Sequence, residues 1–428
     1  MTPPSLAADF TDKNDRSDLL TAQEASRLLG VKQATLYTYV SRGWLHPVKH
    51  PGRKGNRYLR EEVESLKVRS TVRQGHGAVA AAAMRWGQPV IDTTITQIDD
   101  QGPRYRGHLA SDLVLDPGAF ENVAELLWSG VLTDTPQIWP VETHPVDLGS
   151  ALQALLQQGA RNPRMMRVFS MVAIALGGGT LAEELRTGSI ERLSRQMLFG
   201  FAGACGILGP QLRFTMPQGE RPIAQHILLS MGVTPTAQAE HAVNAALILG
   251  ADHELSSGTF SARIAASTGS TLYASIVAAL ATQQGATLAG GADAAEDLIA
   301  GIDSVSDLEH WIASAELRRQ RMVGFGLPIY PQGDPRARQL IELAQQTAPG
   351  SKRADLAYRF VESVSRQLGL HPNIEMGLVV LCIAWGLPAR SPCALWGIGR
   401  SAGWIAHVME QRLAGFTIRP RGLYQHLR

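Results

Sequence analysis

Cysteine, aromatic residues and charge are all scarce in this sequence. Three cysteines, Cys205, Cys382 and Cys393, stand in 428 residues without a metal-type spacing, and their odd number cannot close into pairs. Such usage argues against a disulfide-stapled scaffold or a thiolate zinc site and fits buried thiols in a reducing compartment. Aromatic residues make up 6% and charged residues 18% of a chain that is 45% apolar, the balance of a globular protein with a sizeable core. Its length leaves room for two or three domains. Residues 1–17 contain no apolar segment, so no secretory signal is expected. Uncharged runs at 169–182 and 269–292 are too short, or too broken by Gly and Gln, to cross a bilayer, and buried helices account for them. The expectation is a cytoplasmic protein with no metal site and no membrane partner.

Acids are missing from one stretch in particular. The net charge of +2 conceals a segment from Lys32 to Arg60 with seven basic residues and no Asp or Glu. Residues 1–17 are expected to be a mobile tail, with structure beginning near Leu19. Thr21 and Glu24 have the spacing of a capping box, and Ala25, Leu28 and Leu29 give the following helix an apolar face. Gly30-Val31 makes a turn. A second helix from Lys32 to about Ser41 offers Ala34, Leu36, Tyr37 and Val40 for packing and Lys32, Gln33, Thr35 and Thr38 for outside contacts.

Two short helices about a glycine turn form the helix-turn-helix pattern, whose second helix enters the major groove. The segment from His46 to Tyr58, with its prolines, glycines and basic residues, resembles the small wing of MerR and excisionase-type domains. Lys49, Arg53, Lys54 and Arg57 would then contact phosphates of duplex DNA, with Lys32, Gln33 and Thr35 on the recognition helix. The alternative is a small helical module for protein contacts with a solvated basic loop. The module is expected at 18–68, with a domain joint between about Lys67 and Gly77.

Beyond the joint, Ile91, Thr93, Ile95 and Ile98 alternate with polar residues up to a turn at Asp99-Asp100-Gln101-Gly102, predicting a short hairpin that leads to Tyr105-Arg106-Gly107. From Phe120 onward helical periodicity dominates, as in Val123, Leu126 and Leu127 before Gly130. The body is predicted to be all-α. Its central stretch runs Gly250-Ala251-Asp252-His253-Glu254-Leu255-Ser256 between apolar helices, and three adjacent ionisable side chains there need partners or ligands unless they form a solvated helix end.

That stretch resembles the central motif of citrate synthase. The resemblance continues through Gly324-Phe325-Gly326, Asp334-Pro335-Arg336-Ala337, Pro372-Asn373-Ile374, Gly399-Arg400-Ser401-Ala402-Gly403-Trp404 and Ile418-Arg419-Pro420-Arg421. It implies a helical homodimer with a body at 78–428, made of a large domain at 78–287 and 386–428 and a smaller mobile domain at 288–385. It also implies a clamp for the carboxylates of oxaloacetate or a citrate-like acid, formed by His253, Arg336, Arg400 and Arg419, the last reaching across the dimer. Converging cations and a histidine are what a small dianion requires.

Histidine is absent where the family's chemistry needs it. None lies between Gly269 and Gly291 or between Trp311 and Leu370. The resemblance places one catalytic histidine at Ala289, another at Leu327, and a catalytic aspartate at Glu375. Losing a general acid or base typically costs about 10²–10⁴ in rate, and losing a donor to a developing oxyanion about 10²–10³. Acetyl-CoA as co-substrate is also put in question by the apolar Leu327-Pro328 and by Pro331, and no other cofactor is implied. Three readings stay open: a ligand-sensing DNA-binding regulator, a citrate-synthase-type acyltransferase with an unconventional site, and a non-catalytic subunit of a mixed dimer with an active homologue.

Overall fold

A computed structural model describes residues 19–41, 45–49, 56–60, 62–63, 66, 91–116, 118–141, 146–156, 163–187, 190–285, 291–318 and 322–420. The tail expected at 1–17, the joint expected at 67–77, and Arg53, Lys54 and Ala289 lie outside these residues. The chain divides into two compact units that meet in sequence at Asp92 and Thr93.

The first unit contains β1 (Leu19–Thr21), α1 (Ala22–Leu29), α2 (Gln33–Ser41), β2 (Pro47–Lys49) and β3 (Asn56–Leu59). Thr21 and Glu24 form the expected capping box, and Gly30 ends α1 at φ 68°, a left-handed conformation that costs glycine nothing. The wing hairpin is β2 paired antiparallel with β3, Val48 facing Arg57. One feature has no forewarning in the sequence. Leu19–Thr21 pairs with the other side of β3, giving a three-stranded sheet in the order β1-β3-β2. Leu20, Ala25, Leu29, Leu36, Leu45, Tyr58, Val63 and Leu66 form its core.

The packing face of α2 differs from expectation. Leu36 is buried, with Tyr39 and Val40 beside it, whereas Tyr37 is 52% exposed and Ala34 is exposed. One helical step turns a side chain by about 100°, so Leu36 cannot share its face with Tyr37 but does share it with residues three and four places on. The exposed face is therefore Gln33, Ala34, Tyr37, Thr38 and Ser41, with Lys32 just ahead of it and Thr35 half-buried.

The second unit opens with β4 (Thr96–Asp99), β5 (Gly102–Tyr105) and β6 (His108–Leu109), an antiparallel sheet in that order; the predicted hairpin carries a third, two-residue strand. Helices make up the rest. They are α3 (Ala110–Leu113), α4 (Phe120–Ser129), α5 (Leu148–Leu156), α6 (Met165–Leu176), α7 (Leu181–Thr187), α8 (Ile190–Ala204), α9 (Ile223–Ser230), α10 (Ala237–Gly250), α11 (Ser257–Ser267) and α12 (Leu272–Thr282), followed by α13 (Gly291–Ala300), α14 (Val305–Arg318), α15 (Pro335–Thr347), α16 (Lys352–Leu368), α17 (Ile374–Ala384) and α18 (Ser391–Ala414). No helix among the described residues is long and apolar enough to cross a membrane.

Two apolar cores organise this unit. The larger runs from Ile95 to Val408 and surrounds α18; the smaller joins Ala295, Ile299, Leu308, Phe325, Phe360 and Val379. Helix α17 contributes to both, Leu378 and Leu381 to the first and Met376 and Val380 to the second. Its sequence explains this. Beyond Glu375 it carries no charged residue, and a helix apolar all round has to be covered all round.

Backbone contact fixes the crossing of α10 and α18. A Cβ on Gly399 would fall 2.6 Å from the Leu247 carbonyl oxygen, and one on Gly403 would overlap the Ala251 carbonyl and the Asp252 carboxylate. The Gly403 N–H donates to Ala251 O at 3.1 Å. The end of α10, and the Asp252-His253 turn after it, are thereby locked to α18.

Candidate functional site

The turn after α10 leads its three ionisable residues to different surroundings. Asp252 is fully buried, His253 is half-buried, and Glu254 is exposed at φ 54°. For Glu254 the solvated helix end is therefore the correct description. Asp252 Oδ2 accepts from the Glu254 N–H at 3.1 Å and faces His407 Nε2 at 3.3 Å. On the other side of that imidazole, Arg263 Nη1 lies 3.2 Å from Nδ1. A guanidinium only donates, so Nδ1 accepts and the proton sits on Nε2, directed at Asp252. Burial disfavours the Asp252 charge, but His407 and Arg400 outweigh it and hold the carboxyl below its ordinary range. The network continues from Arg263 to Glu410 at 2.6 Å, and Glu410 Oε1 accepts from the Thr94 N–H and hydroxyl at 2.8 and 3.0 Å.

His253, Arg336 and Arg400 are brought together. Burial and the charges of Arg336 and Arg400 hold the His253 imidazole well below its ordinary value, so it is neutral. Its Nε2 lies 3.1 Å from the Tyr330 hydroxyl. Arg400, in α18, is buried. Its Nε donates to Gly250 O at 2.9 Å, and its guanidinium lies 5.1 Å from the Trp396 ring centre. Burial and the neighbouring Arg336 lower its affinity for a proton, against the pull of Asp252.

Arg336 is prepared by its own local sequence. Asp334 caps α15, accepting the Arg336 N–H at 3.0 Å, and its carboxylate takes Nε and Nη2 of the same arginine at 2.9 and 2.8 Å. Asp334 Oδ2 also accepts from the Ile374 N–H at 3.1 Å, tying the starts of α15 and α17 together. Arg336 Nη1 remains buried without an acceptor among the described residues. A buried guanidinium with unmatched N–H groups is costly, and an anionic ligand is one way to match them.

Arg419 is not with the other three. It lies exposed beyond α18, in a segment held where the Ile418 N–H donates to Ser267 Oγ at 3.1 Å. Leu327 and Glu375, by contrast, belong to neighbouring segments. Gly326 N–H donates to His371 O at 2.8 Å, Asn373 N–H donates to Gly324 O at 2.9 Å, and Phe325 bridges to Pro372. Leu327 is half-buried in the first of these segments. In the second, Asn373 caps α17 and accepts from the Glu375 N–H at 3.1 Å. The Glu375 carboxylate lies against Gly291, the first residue of α13, where a Cβ would overlap both of its oxygens.

In the first unit, Lys32 and Gln33 are exposed, Thr35 and Arg57 are half-buried, and the Lys49 backbone lies in β2. Among the described residues no three His, Cys, Asp or Glu side chains are grouped to hold a metal. Sequence reasoning missed Tyr330, Asp334 and the Arg263–His407 pair. Only Asp334-Pro335 carried a readable signal, an N-cap followed by proline at the first helical position.

The two-core helical fold and a site of this composition define a class that comparison with known proteins identifies. Residues 83–421 match the family described as citrate synthase, C-terminal domain, and the chain belongs to that family. Residues 19–67 match a helix-turn-helix domain. Citrate synthase 2 of Bacillus subtilis is 26% identical over 357 residues, covering 80% of this chain and 95% of its own. A 2-methylcitrate synthase of Mycobacterium tuberculosis is 26% identical over 355 residues, covering 78% of this chain and 88% of its own. Among solved structures, citrate synthase from Thermoplasma acidophilum, in a ternary complex with carboxymethyl coenzyme A and oxaloacetate, superposes with a TM-score of 0.67 at 22% identity, over 79% of this chain and 94% of that one. The Thermotoga maritima enzyme gives 0.64 at 22% identity, over 80% and 94%.

Proposed function

We propose that this protein is a sensor of small di- or tricarboxylates that binds duplex DNA through its N-terminal module and does not carry out efficient citrate synthesis. The observation that carries the reading is the pairing of an equipped clamp with an unequipped centre. Arg336 Nη1 has no acceptor among the described residues, Arg400 and a neutral His253 are beside it, and the nearby Leu327 side chain can neither donate a hydrogen bond nor transfer a proton. Charge-assisted hydrogen bonds contribute roughly 1.5–3 kcal/mol each, so two guanidiniums can hold an acid without a coenzyme. The domain division at 288–385, a homodimer in which Arg419 completes the partner's clamp, and a cytoplasmic location belong to the same reading.

A bound acid that touches Arg400 on α18 and Arg336 on α15 favours whichever arrangement brings the two cations together. It can bias a linked DNA-binding unit by no more than its difference in affinity for the two arrangements. The second reading, an acyltransferase with an unconventional site, draws support from the Glu375 carboxylate beside Gly291 and from relatives named as synthases.

One pair of measurements separates the two. Calorimetry with oxaloacetate and citrate should show binding to the native protein that Arg400→Ala weakens at least tenfold; equally negligible binding by both removes the sensor reading. Condensation of oxaloacetate with acetyl-CoA by protein freed of host enzyme should be far below one turnover per second, the lower end of typical enzyme rates. A rate at or above that value establishes the acyltransferase instead.

A further inference from the structure

The groups that converge on the clamp are of two kinds. Arg336 and Arg400 are charged and match carboxylates. His253 and Tyr330 are neutral, and each can also address an oxygen that carries no charge. Their ring centres lie 5.7 Å apart with Nε2 and Oη at 3.1 Å, and Tyr330 is buried with its ring 5.6 Å from the Arg336 guanidinium carbon. Burial pushes the Tyr330 hydroxyl up to about 12, against the pull of Arg336, so it keeps its proton. The Tyr330 N–H donates to Leu327 O at 2.8 Å, and this turn carries the phenol that meets His253 in the segment where the Leu327 side chain has no polar atom.

From this geometry we propose that the Tyr330 hydroxyl is the clamp's contact for an oxygen on C2 of the bound acid, so that the site selects 2-oxo and 2-hydroxy dicarboxylates over the unsubstituted dicarboxylate of equal length. The inference rests on the acid-sensor reading and deepens it. A neutral imidazole has one N–H and one acceptor, and a phenol both donates and accepts. With the imidazole proton on Nε2 and given to Oη, the phenolic O–H is released toward a ligand oxygen. A ketone accepts that hydrogen, and an alcohol can accept it or donate to Oη. A methylene does neither, and gives the phenolic O–H no acceptor. Sites built around such a hydroxyl reject analogues lacking the matching group more strongly than apolar pockets reject an added one.

The test is calorimetric titration of the full-length protein with oxaloacetate, malate and succinate, native and Tyr330→Phe. The native protein should bind oxaloacetate and malate about tenfold more tightly than succinate, the upper range for one neutral hydrogen bond. Tyr330→Phe should close that gap to about twofold and leave succinate binding unchanged, which also shows that the variant is folded with its arginines in place. Equal binding of all three acids by the native protein overturns the assignment and leaves the sensor reading standing. A preference that survives Tyr330→Phe, or an equal weakening of all three acids, assigns Tyr330 a structural role and overturns it too. If the native protein binds none of them, the sensor reading fails and this inference with it.

Discussion

Glu121 is a carboxylate in the wrong place, and the consequence can be measured. It lies in α4, fully buried, where Oε1 accepts from the Ile223 N–H at the start of α9 while Oε2 has no partner among the described residues. Burial raises its carboxyl from 4.5 to about 7, the hydrogen bond from Ile223 opposing the shift only in part. The sign follows from linkage. An acid whose folded value is raised keeps its proton in the native state while the unfolded chain releases it, so stability falls as pH rises from about 4.5 to about 7 and stays reduced above. At about 1.36 kcal/mol per unit, the full penalty is on the order of 3 kcal/mol. Glu121→Gln preserves the acceptor for Ile223 and removes the charge. Thermal unfolding of the variant should therefore match the native protein near pH 4.5 and exceed it by about 5 °C at pH 8, taking the average unfolding entropy per residue for a unit of this size. Equal unfolding temperatures at pH 8, or a gain that does not shrink on acidification, would refute the assignment of a buried, destabilising charge.

Two further outcomes are expected. Affinity for non-specific duplex DNA should fall with salt by about one unit of log–log slope per neutralised phosphate, and Arg53→Ala with Lys54→Ala should weaken all sequences similarly; absence of binding at low salt in native full-length protein ends the DNA-binding reading. Gly403→Ala should lower the unfolding temperature and weaken oxaloacetate binding together, because the added methyl overlaps Ala251 O and Asp252 and moves the turn carrying His253. Native-like acid affinity in a folded Gly403→Ala variant would show that the clamp does not depend on this crossing.

Much of the fold was legible because it is written in local chemistry. The Thr21–Glu24 box and the glycine stop after α4 each state a conformation within about ten residues. Strand β1 was not legible, since three residues have too little pattern to predict pairing with a strand more than thirty positions away. Tyr37 was misassigned because apolarity was read without angle. At the site, the resemblance to citrate synthase pointed to His253, Arg336 and Arg400, and the two arginines lie close enough to His253 to help burial hold its imidazole neutral. Tyr330 and the Arg263–His407 pair act through contacts that span 77 and 144 positions, distances over which residue order carries no physical information.

The crossing of α10 and α18 also bears on how far a sequence can drift while retaining this architecture. At Gly399 and Gly403 the requirement is for the absence of atoms, and it is met by two hydrogens facing carbonyl oxygens. Side chains elsewhere in the core can exchange volume with their neighbours, but a backbone cannot yield to a methyl group without carrying the next turn with it. Divergence to 22% identity leaves the overall helical fold recognisable in the Thermoplasma acidophilum structure. The same economy makes this crossing brittle. A single carbon at either position would be felt across the whole Asp252-His253 turn, whereas most substitutions in the surrounding helices would be absorbed where they occur.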